Sequence, residues 1–318
     1  MSDPQRPAVL AVMKLPPFFL EPLRAHFTVH DRLHETNPEE FARVAPTIRA
    51  VTGGGDSQVP RALMDKLPAL EMVSIMGVGY DKVDVPAAKE RGIPVTHTPD
   101  VLNDEVADLA LALMLSIARK VPQADRYVRE GRWEQGNMPL ATRMSGKRLG
   151  IVGLGRIGKA IAARAQGFGM SIAYTGRTQQ SGVAFPYHPS AKALAAAVDF
   201  LVVITPGGEA TRRMINAEVL QALGPKGYLV NVARGSVVDE QALIEALQDG
   251  VIAGAGLDVF ENEPQVPAAL RALDNVVLTP HMASATHETR QAMADLALAN
   301  LQAHFAGKPL LSPVPECR

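Results

Sequence analysis

The sequence predicts an α/β protein with two parallel sheets, and three observations carry that prediction. Short apolar runs alternate with helix-like segments through the N-terminal third, and the alternation restarts more strongly at Lys147. The length, 318 residues, suits two domains better than one at about 150 residues per domain. Alternation of this kind lays parallel strands in a sheet and helices on its faces.

In chain order, AVLAVMKL (8–15), IRAVTGG (48–54), LEMVSIMG (70–77) and IPVTHT (93–98) read as strands. Each is short, partly β-branched and bounded by Gly, Pro or Asp. Between them Pro60–Leu67 and Val85–Arg91 read as helices. A long helix opens at Asn103, with Asp104 and Glu105 in its first turn and Leu109, Leu113 and Ile117 at helical spacing. It is expected to end near Lys120, ahead of Pro122, as the element crossing between domains. The second set of strands is RLGIVG (148–153), SIAYTG (171–176), DFLVVIT (199–205), GYLVNVA (227–233), AGAGLDV (253–259) and NVVLTP (275–280). A tail helix covers roughly Glu288–Phe305. No fixed-period repeat, low-complexity tract or Gly/Ser linker interrupts the pattern.

Composition narrows the function classes. With 47% hydrophobic and 20% charged residues the chain can bury real cores and is not disordered. Lys+Arg number 32 against 33 Asp+Glu, without a basic block, which argues against nucleic acid or an anionic membrane as partner. The one cysteine, Cys317, has no partner for an internal disulfide and fits a reducing compartment. The N-terminus, MSDPQRPAVLAVMKLPP, lacks the marks of a secretory signal, and Val106–Ala118 is interrupted by Asp108 and too short to span a bilayer. A soluble, cytoplasmic protein is expected, with no metal site.

Gly153-Leu154-Gly155-Arg156-Ile157-Gly158 follows the strand RLGIV and opens an Ala/Ile-rich helix. The pattern G-x-G-x-x-G is weak alone, but strand before and helix after make it a Rossmann-type dinucleotide turn. Gly153 permits the tight turn, Gly155 lets the backbone approach a pyrophosphate, and Gly158 lets the helix pack on the strand. The helix N-terminus offers N–H groups and a positive dipole end to the phosphates. An NAD site places an Asp or Glu near the end of the next strand for the ribose hydroxyl. Here that place reads Tyr174-Thr-Gly176-Arg177-Thr178, with no carboxylate and with a cation and a hydroxyl where a 2′-phosphate would sit. NADP(H) is therefore favoured over NAD(H). Thr205, Pro206, Val232, Asp258 and His281, at or just beyond later strand ends, complete the expected cofactor-binding set.

Three polar residues follow strands of the dinucleotide domain: Arg234, Glu263 and His281. An imidazole titrates near neutrality and suits proton transfer to an alcohol oxygen. A carboxylate can hold it and stabilise its cation, and a guanidinium can bind a substrate carboxylate. Solvated charges at strand ends would satisfy the same spacing, and spacing alone does not bring the three together.

The strings NVARGSVVDEQALIEAL (231–247), GAGLDVFENEP (254–264) and NVVLTPHMASAT (275–286) resemble the D-isomer-specific 2-hydroxyacid dehydrogenase family, in the right order and over nearly the whole chain. The resemblance implies that Arg234 binds the substrate carboxylate and carbonyl, and that Glu263 and His281 form the acid–base pair. It implies that Val78 and Gly79, in MGVGYD, donate backbone N–H groups to the carboxylate. It further implies a discontinuous substrate domain, 1–101 plus 284–318, beside a dinucleotide-binding domain, 102–283, with the active site in the interdomain cleft. HTPDVLNDEVADLALALML, ALGPKGYLVNVARG and GKPLLSPV look most like the branch of NADPH-dependent hydroxypyruvate, glyoxylate and hydroxyphenylpyruvate reductases. The expected reaction is reduction of a 2-oxo acid to its D-2-hydroxy acid. A cofactor-sensing protein like the corepressors built on this fold is the alternative; an NAD-dependent formate- or phosphite-type oxidation would leave the missing ribose-binding acid unexplained. Met76, Trp133 and Met138 suit a side-chain pocket, the core or a dimer contact, and for the last two the homodimer contact is favoured.

Overall fold

The computed structural model describes residues 6–317. Residues 1–5 and Arg318 lie outside the described residues, and with them part of the N-terminal stretch and the outermost domain limits expected above. The chain divides into two compact units, Met1–Leu102 with Thr286–Arg318, and Asn103–Ala285. Among the described residues no helix is long and apolar enough to cross a membrane.

The first unit is a five-stranded parallel sheet. Its strands are β1 (Ala8–Ala11), β2 (Thr28–Asp31), β3 (Ile48–Gly54), β4 (Met72–Met76) and β5 (Val95–Thr96). Their order across the sheet is β2-β1-β3-β4-β5. The central strands are almost wholly buried, because helices cover both faces of such a sheet and leave no polar side. One of those helices, His287–Phe305, comes from the far end of the chain and packs on β4, where Ser74 Oγ donates to the Ala297 carbonyl at 3.1 Å. Thr286 caps it by accepting the Thr289 N–H at 3.2 Å.

The second unit is a six-stranded parallel sheet of β6 (Arg148–Val152), β7 (Ser171–Thr175), β8 (Phe200–Val203), β9 (Tyr228–Asn231), β10 (Gly254–Leu257) and β11 (Val276–Leu278). The order is β11-β10-β9-β8-β6-β7, so the chain reverses its direction of travel between β6 and β8. Ligands of open parallel sheets bind beyond the strand ends at such a reversal. The helix Asn103–Arg119 packs inside this unit on β9 and β10. Glycines make the room: a Cβ on Gly254 or Gly256 would stand 3.0 Å from Ile117 or Leu113.

Among the elements that the sequence reading did not name are an edge strand and two helices. Thr28–Asp31 is an edge strand with every residue half-buried, so it carries no run of apolar residues to announce it. Pro17–His26 is a helix whose opening proline sits in the first turn, where no N–H is needed. Val121–Arg129 is a further helix rather than loop. Lys120 takes φ 53°, which breaks the chain direction, and Pro122 then starts a new helix instead of merely stopping the old one.

Candidate active site

The glycine turn occupies the reversal point between β6 and β8. Gly153 leaves β6 at φ +104°, and a Cβ there would lie 2.8 Å from the Ile204 carbonyl oxygen and 3.0 Å from Thr205 Cα. Only glycine can lead the chain between those two strand ends. Gly158, in the helix Arg156–Gly167, has no room either: its Cβ would stand 2.3 Å from the Gly153 oxygen. Gly155 is the opposite case, with no atom within 4 Å of its missing side chain. It caps the helix and leaves open backbone beside the first-turn N–H groups, which fits a pyrophosphate. Leu154 is buried, and its carbonyl accepts Gln180 Nε2 at 2.7 Å. Gln180 also donates its own N–H to Tyr174 Oη at 2.8 Å, so the loop after β7 is tied to the glycine turn. That tie had no signal in the sequence, because Gln180 belongs to no motif. Gly176, Arg177 and Thr178 are exposed at the end of β7, and among the described residues nothing pairs with the Arg177 guanidinium.

The three polar strand ends do come together. β9, β10 and β11 are neighbours, and each delivers one residue beyond its C-terminal end. After β9, Asn231 shapes the loop: its Oδ1 accepts the Ala233 N–H at 3.0 Å and its Nδ2 donates to the Arg234 carbonyl at 3.0 Å. Gly235 then lies flat on the next loop, since a Cβ would fall 1.9 Å from the Phe260 carbonyl carbon. Backbone contact of this closeness fixes Arg234 beside the segment that carries Glu263.

His281 Nδ1 lies 2.7 Å from Glu263 Oε2, and the other carboxylate oxygen accepts the Phe260 N–H at 3.0 Å. Both side chains remain about a third exposed or less, 32% and 27%. Burial pushes the Glu263 carboxyl up; the His281 hydrogen bond, the Phe260 N–H and the charges of His281 and Arg234 outweigh it and hold the group below its ordinary range. Asp258 is the brace behind this pair. It is fully buried at the end of β10, with Oδ1 accepting Thr279 Oγ1 at 2.6 Å and the Met282 N–H at 2.9 Å, and Oδ2 accepting the Ala283 N–H at 3.0 Å. Its carbonyl takes the His281 N–H at 2.8 Å. Burial pushes the Asp258 carboxyl up despite these donors. Val232 is buried beside the same strand ends, and Pro206 is exposed beyond β8.

In the first unit, Val78 and Gly79 follow β4 and are partly exposed. Gly77 seats them against the end of β3, since its Cβ would lie 2.8 Å from Gly55 Cα. Met76 is buried at the strand end, which makes it core. Trp133 is 65% exposed and Met138 half-buried, in a stretch of the second unit that follows the helix Val121–Arg129.

A dinucleotide turn at a sheet reversal, with an imidazole–carboxylate pair three strands away, defines a nicotinamide-dependent oxidoreductase. Residues 111–283 match the family described as D-isomer specific 2-hydroxyacid dehydrogenase, NAD binding domain, and the chain belongs to that family. A hydroxyphenylpyruvate reductase of Plectranthus scutellarioides is 52% identical over 274 residues, 86% of this chain and 88% of that protein. Glyoxylate/hydroxypyruvate reductase A of Arabidopsis thaliana is 53% identical over 282 residues, 88% of this chain and 90% of its own. Among solved structures, the NADPH-dependent glyoxylate/hydroxypyruvate reductase of Sinorhizobium meliloti, in complex with NADP and malonate, superposes with a TM-score of 0.92. It is 48% identical, and the match covers 98% of each chain.

Proposed function

We propose that this enzyme reduces a small 2-oxo acid, of the glyoxylate, hydroxypyruvate or hydroxyphenylpyruvate kind, to its D-2-hydroxy acid with NADPH. The observation that carries the reading is the 2.7 Å contact between His281 Nδ1 and Glu263. A carboxylate on Nδ1 fixes the ring and stabilises its cation, so Nε2 is the nitrogen that hands over a proton. The glycine turn would hold the pyrophosphate of the cofactor, whose nicotinamide would supply the hydride for the carbonyl carbon. His281 then protonates the oxygen as negative charge develops there, and Glu263 keeps the imidazolium favourable beforehand. Arg234 holds the substrate carboxylate and polarises its carbonyl, and the Val78 and Gly79 N–H groups bind the carboxylate as well. The exposed, acid-free end of β7 supports NADP(H) over NAD(H). The same relatives' names support the substrate class, and the exposed Trp133 segment supports a homodimer.

His281→Ala should cut glyoxylate and hydroxypyruvate reduction by about 10²–10⁴-fold, the usual worth of a general acid. Near-wild-type turnover in that variant would remove the mechanism. A wild-type chain that binds NADPH yet turns over no 2-oxo acid in a panel of such substrates would favour a cofactor-sensing role.

A further inference from the structure

The Val78–Gly79 turn takes its direction from the two residues that follow β5. In a trans peptide the carbonyl of one residue and the N–H of the next point opposite ways across a rigid plane. Both peptides flanking Val78 are trans. Thr98 donates its N–H to the Gly77 carbonyl at 2.8 Å, and His97 Nδ1 lies 3.1 Å from the Val78 carbonyl. A carbonyl only accepts, so Nδ1 carries the proton. Two consecutive carbonyls are thereby drawn toward the end of β5. The N–H groups of Val78 and Gly79 are turned away from it, and among the described residues neither has a protein acceptor. Adjacent N–H groups aimed the same way make an anion-binding concavity.

We propose that His97 is a positioning residue for the substrate: its Nδ1–H holds the plane of the Val78–Gly79 peptide and so aims the Gly79 N–H at the substrate carboxylate. This rests on the reading above that the turn binds that carboxylate. His97 is itself held firmly. Its carbonyl accepts Ser312 Oγ at 2.6 Å, its N–H donates to the Ser312 carbonyl at 3.2 Å, and the Tyr80 ring stands edge-on to it at 5.3 Å. Behind Ser312, the buried Asn300 accepts the N–H groups of Leu311 and Ser312 at 3.0 and 3.1 Å and donates to Ser312 Oγ at 2.8 Å. The C-terminal segment thus supports the histidine, and the histidine supports the turn.

A tie that only joins β5 to β4 and one that aims a donor are separated by where a substitute puts its nitrogen. Asparagine places an amide N–H near the position of Nδ1; glutamine places it near Nε2, off the Val78 carbonyl. His97→Asn should keep KM for glyoxylate within about threefold of wild type, whereas His97→Gln should raise it about tenfold, the worth of one hydrogen bond. KM for NADPH should stay unchanged in both, and kcat should move less than KM. Oxalate, titrated calorimetrically into each protein, should give the same ordering of Kd without turnover. Should the glutamine variant fail to fold, Ser312→Ala loosens His97 from behind and carries the same expectation. Equal KM and equal oxalate Kd for the Asn and Gln variants would overturn the proposal, whether both match wild type or both are impaired. A wild type that binds oxalate but reduces no 2-oxo acid removes the reductase reading and leaves His97 to be judged on the oxalate ordering; one that does neither overturns both.

Discussion

His281 takes φ +49°, a left-handed backbone that non-glycine residues adopt at a cost of about 1 kcal/mol. Asp258 holds it there, with its carbonyl on the His281 N–H and its carboxylate on the two N–H groups that follow. The imidazole is therefore presented by a braced loop, against the backbone preference of a non-glycine residue. Glu263 adds a pH dependence whose sign is fixed by its carboxyl lying below the ordinary 4.5. A folded-state value below the unfolded one stabilises the fold above that range, and the gain is lost as pH falls through the lower value. Glu263→Gln removes the titration. The Tm advantage of wild type over this variant should shrink as pH falls below 4.5, as read from melts at a series of acid pH values. An advantage undiminished well below 4.5 would contradict the assignment. Arg177 makes the other residue-scale test. Its guanidinium stands exposed at the end of β7, so removing it disturbs no protein partner among the described residues. Arg177→Ala should raise KM for NADPH by about 10- to 100-fold, as for a charged hydrogen bond, and leave NADH nearly untouched. An equal rise for both cofactors would count against a 2′-phosphate site.

At the scale of elements, the glycine turn gives a paired test of fold against binding. Gly158 cannot take a methyl group without moving the Gly153 backbone, whereas Gly155 faces open space. Gly158→Ala should lower Tm in the absence of cofactor, by about 1–3 kcal/mol of overpacking. Gly155→Ala should leave the cofactor-free Tm alone and weaken NADPH binding, measured by fluorescence titration. The reverse pattern would mean the phosphates lie elsewhere. The turn itself was readable in the sequence because a strand, a turn and a helix meet within a few residues, and local geometry needs no distant partner. The same holds for the buried central strands, whose apolar runs announce themselves. What escaped was set by distance along the chain. The edge strand Thr28–Asp31 has a partner on one side only and carries no pattern. Gly235 reads as part of a motif, yet its reason is the Phe260 backbone lying against it. His97 and Gln180 reach carbonyls at Val78 and Leu154 that lie far from them in the chain, so their sequence neighbourhood does not reveal these contacts. Glu263 and His281 were readable as two residue types at strand ends; only the pairing of β10 with β11 brings them to 2.7 Å.

For the molecule as a whole, the question is what covers the apolar side chains between residues 121 and 140. Val121, Val128, Trp133 and Leu140 are exposed by 51, 56, 65 and 97%, and the helix Val121–Arg129 buries none of its residues. Exposed large apolar groups recurring within one stretch support the homodimer proposed above. Homo-oligomers most often pair about a two-fold axis, so one such patch, repeated on a second copy, is sufficient to close a dimer. The formal net charge of -1 sets up little repulsion between copies. Aromatic anchors such as Trp133 contribute most when an interface buries them fully, often 2 kcal/mol or more on truncation. Trp133→Glu combined with Leu140→Glu places two charges in that contact and leaves both unit cores untouched. Sedimentation equilibrium should give twice the chain mass for wild type and a single-chain mass for the double variant, with the cofactor-free helical circular dichroism retained. A wild type that sediments as one chain at micromolar concentration would show that these side chains serve something other than self-association. In a dimeric wild type, a variant that stays dimeric would move the two-fold contact away from residues 121–140.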